Sequence, residues 1–493
     1  MYKTITPKEM DYTDELIVVF DLGSTRIVGS VGTKDETGRV SILAYEISES
    51  SSYMRRGNIY NVAKAASEIK RMCLKLENKI GEGRVITSAY FGIDAQSIHS
   101  IGDKKEERIN GEITQQVIDL LIRRSKGSPK DDYGFISSTE PVFYLDGIYE
   151  SRPMGKTCNM LEARFNRIFG NPAITTQIHK IAEKIGIKVK KVILMPLAIG
   201  DAVLAPRDMD AGCALIDFGG GVTSLVIYKD GAPTYVKVIP LGGDLITHDL
   251  EKELKLSYKE AERVKIVHGS SVADPDSIET IRVESNSGLG QKEMRLYTIN
   301  RVIEARELEI IENVIARFEA SGYGHDLLSG IVLCGGASCL TNLEESLKGR
   351  IKQTIRYARL RREFIIPDDE KGNDPILLPV MSLLRQGEGK CVIHRVSKET
   401  MLTTPSVEKE VEVKVSSVNE ETKVASTNEE VNQSTEEKEI GIEISNIIEE
   451  VERPETQKER ATTNTNKNKK EKRQKGDKVS FLFRHFGDIF NDE

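Results

Sequence analysis

The sequence predicts an α/β protein of two lobes, each built on one copy of a three-stranded meander. Two glycine-rich turns carry that prediction, DLGSTR at Asp21 to Arg26 and DFGGGVTS at Asp217 to Ser224, roughly 200 residues apart. Each follows an apolar run (LIVVF, then CALI) and leads into a second strand (IVGSVG, then LVIY), the pattern of a tight hairpin between buried strands. A third strand completes each copy: VSILAYEI after the turn at Thr33 to Gly38, and TYVKVIP after Lys229-Asp230-Gly231. One such hairpin alone is ordinarily just a turn, whereas two in matching context read as a single unit used twice. The third observation is GIVLCGGAS, Gly330 to Ser338, another buried strand running into a glycine pair.

The residue types at these turns suit phosphate. Glycine lets the main chain approach an anion without interference from Cβ, and backbone N–H groups exposed at a hairpin tip form an anion-binding concavity. An aspartate at the strand end can hold the hydrated metal that neutralises the phosphates. Gly335 and Gly336 allow a flat base or ribose to lie against the backbone, although an ordinary strand-to-helix turn has the same signature. Two inward-facing tips make a clamp around a nucleotide.

Periodicity supplies the remaining elements. Apolar residues at helical spacing predict a helix over Val62 to Ile80, followed by the strand VITSAYFGI. A less regular region from Ala95 to about Ile174 holds a helix at Thr114 to Arg124, capped by Thr114, and short strands around ISSTEPVFYLDGI. A helix at Thr175 to Ile185 and the strand VKKVILMP return the chain to the first lobe. After the second meander comes an insert from Ile246 to about Ser321, with a helix over Tyr258 to Gly269 and a long amphipathic one over RVIEARELEIIENVIARFEAS. The glycine-pair strand and a helix through LTNLEESLKG close the second lobe.

A chain of 493 residues with 39% hydrophobic content can bury a substantial core in its first 390 or so. The polar N-terminus MYKTITPKEMDYTDE has no apolar export segment, and no stretch reaches the ~18 apolar residues of a spanning helix. The six cysteines, Cys73, Cys158, Cys213, Cys334, Cys339 and Cys391, show no metal-ligand spacing, which fits a reducing cytoplasm. A net charge of −7 argues against nucleic-acid binding. From about 397 to 460 the chain is rich in Glu, Lys, Ser, Thr and Asn without large aromatics, the composition of a solvated, disordered linker. Within it KEIGIEISNIIEEV fits either a short partner-binding segment or incidental spacing.

The last segment differs. Lys467 to Lys478 hold seven Lys or Arg against Glu471 and Asp477. Beyond them Val479, Leu482, Phe483, Phe486, Ile489 and Phe490 share one face of a helix. An aromatic amphipathic helix beside a basic cluster reads as an anchor on an anionic membrane surface; a protein groove is the other occupant such a face could have.

The two phosphate hairpins and the glycine-pair turn, in this order and spacing, resemble the actin, Hsp70 and sugar-kinase ATPase superfamily. The resemblance implies an actin-like two-lobed ATPase fold of duplicated ribonuclease-H-like domains. MRRGNIYN at Met54 to Asn61, PMGKTCNMLEA at Pro153 to Ala163, IPLGGDLITHDL at Ile239 to Leu250, AERVKIVHG at Ala261 to Gly269 and VIEARELEI at Val302 to Ile310 are similar to the FtsA family of bacterial cell-division proteins. That family implies lobe one in two parts (14–94 and 175–210) around an insert at 95–174. It places lobe two at 211–245 and 326–392 around an insert at 246–325, with a linker at 393–466 and a membrane-targeting segment at 467–493. The chain departs from the pattern at Val222-Thr223-Ser224, where Thr-Thr-Asp is common, and at RYARLRREFIIP, which lacks an Arg-x-Gly-x-Pro run.

By resemblance, Gly23, Ser24 and Thr25 hold one side of an ATP triphosphate and Gly219, Gly220, Gly221 and Thr223 the other. Asp21 and Asp217 order Mg²⁺ through its waters. Glu262 and Lys265 serve ribose and base, although at this spacing they equally form an exposed ion pair. Gly335, Gly336 and Ala337 complete the adenosine pocket, and Asp201 orients the attacking water unless it is merely a helix-surface carboxylate. Leu482, Phe483, Phe486, Ile489 and Phe490 enter the membrane. The family further implies at most slow hydrolysis, self-association into protofilaments, recruitment of other division proteins, and FtsZ binding through 246–325 on the cytoplasmic face of the cell membrane. The alternatives are a cell-shape or pilus-assembly actin homologue and a sugar or acid kinase.

Overall fold

The computed structural model describes residues 15–394 apart from 127–133, 285–289, 325–326 and 366–373. The first meander forms as expected: β1 (Ile17–Leu22), β2 (Arg26–Lys34) and β3 (Val40–Glu49) pair antiparallel in sequence. A small hairpin follows, β4 (Met54–Arg55) with β5 (Asn58–Ile59). Helix α1 (Val62–Ile80) starts where the Asn61 side chain accepts the Lys64 amide at 3.0 Å, and it buries Ile69, Met72 and Leu76. β6 (Arg84–Ile86) leads to β7 (Ser88–Ile93), which is buried along its whole length and lies parallel to β1. A strand covered on both faces gains most by being wholly apolar or small, as SAYFGI is.

The first insert holds β8 (His99–Arg108), α2 (Gln115–Lys126), β9 (Phe135–Ser138), β10 (Val142–Leu145), β11 (Ile148–Glu150) and β12 (Met160–Phe169). It has a small core of its own, including Ile113, Leu121 and Leu161. α3 (Ala173–Ile185), ended by Gly186 at φ 81°, and β13 (Lys188–Leu194) then complete a first sheet of order β13-β7-β1-β2-β3.

Helices α4 (Met195–Val203) and α5 (Pro206–Ala211) bridge to the second lobe. There β14 (Cys213–Phe218), β15 (Thr223–Lys229) and β16 (Ala232–Ile239) repeat the meander. α6 (Gly243–Glu253) and α7 (Tyr258–His268, capped by Ser257) precede the hairpin of β17 (Thr280–Glu284) and β18 (Gln291–Arg295). The long α8 (Leu296–Ala320) buries Ile299, Ile303, Ile310 and Val314 in the second core. β19 (Ile331–Cys334), a 3₁₀ turn at Gly336–Cys339, α9 (Leu343–Lys348) and β20 (Ile355–Tyr357) finish the sheet. Its order is β16-β15-β14-β19-β20, and the insert strands join its edge through the pairing of Lys237 with His99.

One expectation changes. The end of 326–392 belongs to the first lobe, because α10 (Leu378–Gln386) packs on β1, β2, β3 and α4. Glycines make the seat: a Cβ on Gly92 would lie 2.2 Å from Met195 Sδ and 2.9 Å from Leu383, and one on Gly32 would lie 2.7 Å from Leu384. Lys34 Nζ also donates to the Arg385 carbonyl at 3.0 Å. The final strand β21 (Val392–His394) pairs with β6 of the same lobe. Among the described residues no helix is long and apolar enough to cross a membrane. The linker and the terminal segment, with Leu482, Phe483, Phe486, Ile489 and Phe490, lie outside the described residues.

Candidate functional site

The two glycine hairpins meet tip to tip. A Cβ on Gly220 would lie 2.6 Å from Thr25 Oγ1, and one on Gly221 would lie 2.4 Å from Ser24 Oγ, so side chains at those positions would force the lobes apart. Ser24 Oγ accepts the Gly57 amide at 2.8 Å, which fixes the first tip to the β4–β5 hairpin. The second tip is tied to α6, whose Gly243 and Asp244 amides donate to the Gly219 and Gly220 carbonyls at 3.0 and 2.7 Å. Beside the tips opens a cleft of about 1080 Å³ that Ser24, Arg56, Gly221, Asp244 and Tyr258 help to line.

Below the tips stand acidic strand ends. Burial pushes Asp21 up to about 7, helped by the nearby charge of Asp217 and opposed by Arg26; burial pushes Asp217 up to about 6. A third carboxylate, Asp94, follows β7 and was not singled out by sequence. Its Oδ2 accepts the Ser224 hydroxyl at 2.5 Å, and burial together with Asp217 and Asp21 raises it well above the usual carboxylate range. Gly335, at φ 88°, closes over Asp217: a Cβ there would sit 2.2 Å from Asp217 Oδ1. Arg26 reaches across from the first hairpin, its guanidinium 2.9 Å from where Gly336 would carry a Cβ. Among the described residues that guanidinium makes no hydrogen bond or ion pair, which leaves its five donors for an anion.

Glu262 and Lys265 are more than a surface pair. Lys265 is buried, and its Nζ donates to Glu262 Oε2 at 2.6 Å, Thr247 Oγ1 at 2.7 Å and the Gly243 carbonyl at 3.0 Å. A Cβ on Gly243 would lie 3.0 Å from the Ala337 methyl and 3.7 Å from Lys265 Nζ, so the α6 start, the α7 pair and the glycine-pair turn share one corner. Behind them Glu307 of α8 is fully buried with neither oxygen bonded. Burial lifts it to about 8, partly offset by Lys265.

Two predicted residues stand elsewhere. Thr223 is fully buried and donates to the Leu241 carbonyl at 2.9 Å; strand alternation gives its equally buried neighbour Ser224 the opposite face and the bond to Asp94. Asp201 lies on α4 beside α10, accepting from Gln386 Nε2 at 3.0 Å, with Arg385 and Arg361 as its nearest charges and none of the cleft acids. Sequence carried signals for both omissions: Arg26 ends the first quoted motif, and Asp94 ends a strand that is apolar or small throughout.

The donor set fits a magnesium nucleotide: two bare glycine tips, a free guanidinium, and three buried acids, of which only Asp21 has a cation acting on it. No group of three or more His, Cys, Asp or Glu among the described residues is placed to ligate a metal directly.

Comparison with known proteins gives the family and the fold. The family model described as cell division protein FtsA matches residues 214–378. The FtsA of Porphyromonas gingivalis is 31% identical over 364 residues, covering 73% of this chain and 76% of that protein. The chain belongs to the FtsA family of cell-division proteins. The FtsA of Neisseria meningitidis is 29% identical over 343 residues, covering 68% of this chain and 82% of that protein. Among solved structures, a chain of the PilM-PilN type IV pilus biogenesis complex aligns with a TM-score of 0.51 at 14% identity, covering 76% of this chain and 98% of that one. The fold is therefore the actin-like ATPase fold, with the strands β8 to β12 inserted between β7 and β13.

Proposed function

We propose that this FtsA-family chain binds ATP with Mg²⁺ in the interlobe cleft and tethers FtsZ filaments to the inner face of the cytoplasmic membrane, with nucleotide state governing its self-association. The observation that carries the reading is the meeting of both glycine tips over Asp21 and Asp217, with the free guanidinium of Arg26 alongside. The amides of Gly23, Ser24, Gly220 and Gly221 would donate to phosphate oxygens, and Arg26 would add charge that spans the lobes. Lys265 and Glu262 bound the base corner together with Gly335, Gly336 and Ala337. Bound Mg²⁺ would neutralise phosphate charge. Asp21 and Asp217 would hold its waters. FtsZ binding is assigned to 246–325 and membrane attachment to 467–493.

Fluorescence titration with ATP tests the cleft. Gly220→Asp puts a carboxylate against Thr25 and the phosphates and should weaken binding at least ~100-fold; undiminished affinity in a folded variant removes the second hairpin from the site. For the assembly, a chain ended at Ser406, the limit of its first compact unit, should bind an FtsZ C-terminal peptide yet leave anionic vesicles. Full-length Phe486→Glu should likewise leave the vesicles. Retention of either variant on the vesicles places the anchor elsewhere.

A further inference from the structure

Asp94 carries an oxygen that the fold does not use. It stands just past β7, which runs parallel to β1 with Gly92 opposite Asp21, so its carboxyl enters the cleft from the same strand ends as the phosphate hairpin. Its Oδ2 holds Ser224 of the other lobe, while Oδ1 is buried without a hydrogen-bond partner. Buried carboxyl oxygens are nearly always paired, and one left over beside a ligand cleft marks a place for a polar partner. The surroundings specify the sign of that partner. Asp217 and Asp21 are the charges acting on Asp94, and Arg26, which relieves Asp21, is not among them.

We propose that Asp94 is a third acidic residue of the cation–nucleotide site, its free oxygen taking a water of the divalent cation that enters with the nucleotide while its other oxygen keeps Ser224. The inference rests on the nucleotide reading given above. Contact through water follows from the reluctance of Mg²⁺ to shed its hydration shell. The Asp94–Ser224 bond joins β7 of one lobe to β15 of the other.

The test measures ATP affinity of the full chain in excess Mg²⁺ and in EDTA for wild type, Asp94→Asn and Ser224→Ala. Asparagine keeps an acceptor for Ser224 and the size of the side chain but not the charge. Asp94→Asn should lose at least about ten-fold of the Mg²⁺ enhancement with its EDTA affinity unchanged or tighter, and Ser224→Ala should retain the enhancement. Mn²⁺ binding to the ATP-loaded protein, followed by electron paramagnetic resonance, should weaken in parallel; Asp94→Ser replaces Asp94→Asn if circular dichroism shows the latter misfolded. Wild-type enhancement in Asp94→Asn overturns the proposal. An equal loss in Ser224→Ala also overturns it, since Asp94 would then act only through the lobe bond. ATP binding by wild type that ignores Mg²⁺ sinks this proposal and spares the nucleotide reading; no ATP binding at all sinks both.

Discussion

The two lobes share a strand order, β3-β2-β1-β7-β13 against β16-β15-β14-β19-β20, and their phosphate hairpins span the same length, Leu22 to Ile27 against Phe218 to Thr223. What they place on that common frame differs. Arg26 in the first hairpin corresponds to buried Val222 in the second. Asp21 pairs in register with Gly92 and Asp217 with Cys334, so Asp94, two residues on, corresponds to Gly336. Each lobe thus leaves room for the other: bare Gly336 admits Arg26, and Asp94 receives Ser224. Duplication gives a symmetric backbone clamp, and a few side-chain differences set what each half carries: Arg26 and Asp94 on the first lobe, Ser224 and bare Gly336 on the second.

The sharpest way to break this comparison is to fill the bare side. Gly335 has φ 88° and ψ 161°, a region essentially restricted to glycine, and any Cβ there meets Asp217. Gly335→Val should cost on the order of 4 kcal/mol by combining strain with overpacking; a denaturation midpoint equal to wild type would mean that the turn relaxes freely. On the first lobe, Leu384→Ala removes a fully buried side chain seated over Gly32 and should cost about 3 kcal/mol, measured by urea unfolding. A cost near zero would show that α10 is not part of that lobe's core.

Glu307 separates the lobes by pH. Its folded value of about 8 lies above its ordinary value of 4.5, so between these the folded state holds a proton that the unfolded chain has lost. Its contribution is therefore full below pH ~4.5 and falls as pH rises to about 8, by up to about 1.4 kcal/mol per pH unit. Glu307→Gln should flatten that part of the stability profile, and an unchanged slope would show that Glu307 does not carry it. The smallest effect is expected at Thr223. Thr223→Val leaves the Leu241 carbonyl unpaired and should cost about 1 kcal/mol of stability without changing ATP affinity. A selective loss of ATP affinity would return Thr223 to the phosphate site.

Much of the molecule was written in local pattern. The duplicated meander, helix α1 from Val62 to Ile80 and the Ser257-capped α7 were legible because burial on one face imposes a period of two or of 3.6 and capping residues mark the ends. The glycines of both tips were legible too, since close approach of backbone leaves few residue choices. Sequence could not say which of two adjacent hydroxyls, Thr223 or Ser224, meets Asp94, because alternation puts them on opposite faces without saying which face the other lobe covers. Nor could it say that Asp94 joins Asp21 and Asp217, that Asp201 sits with Gln386 beside α10, or that α10 crosses back to the first sheet. These depend on residues far apart in the chain meeting through packing, such as Leu383 against Gly92 and Asp94 against Ser224. Periodicity records which face of an element is buried; only the assembled fold decides against what.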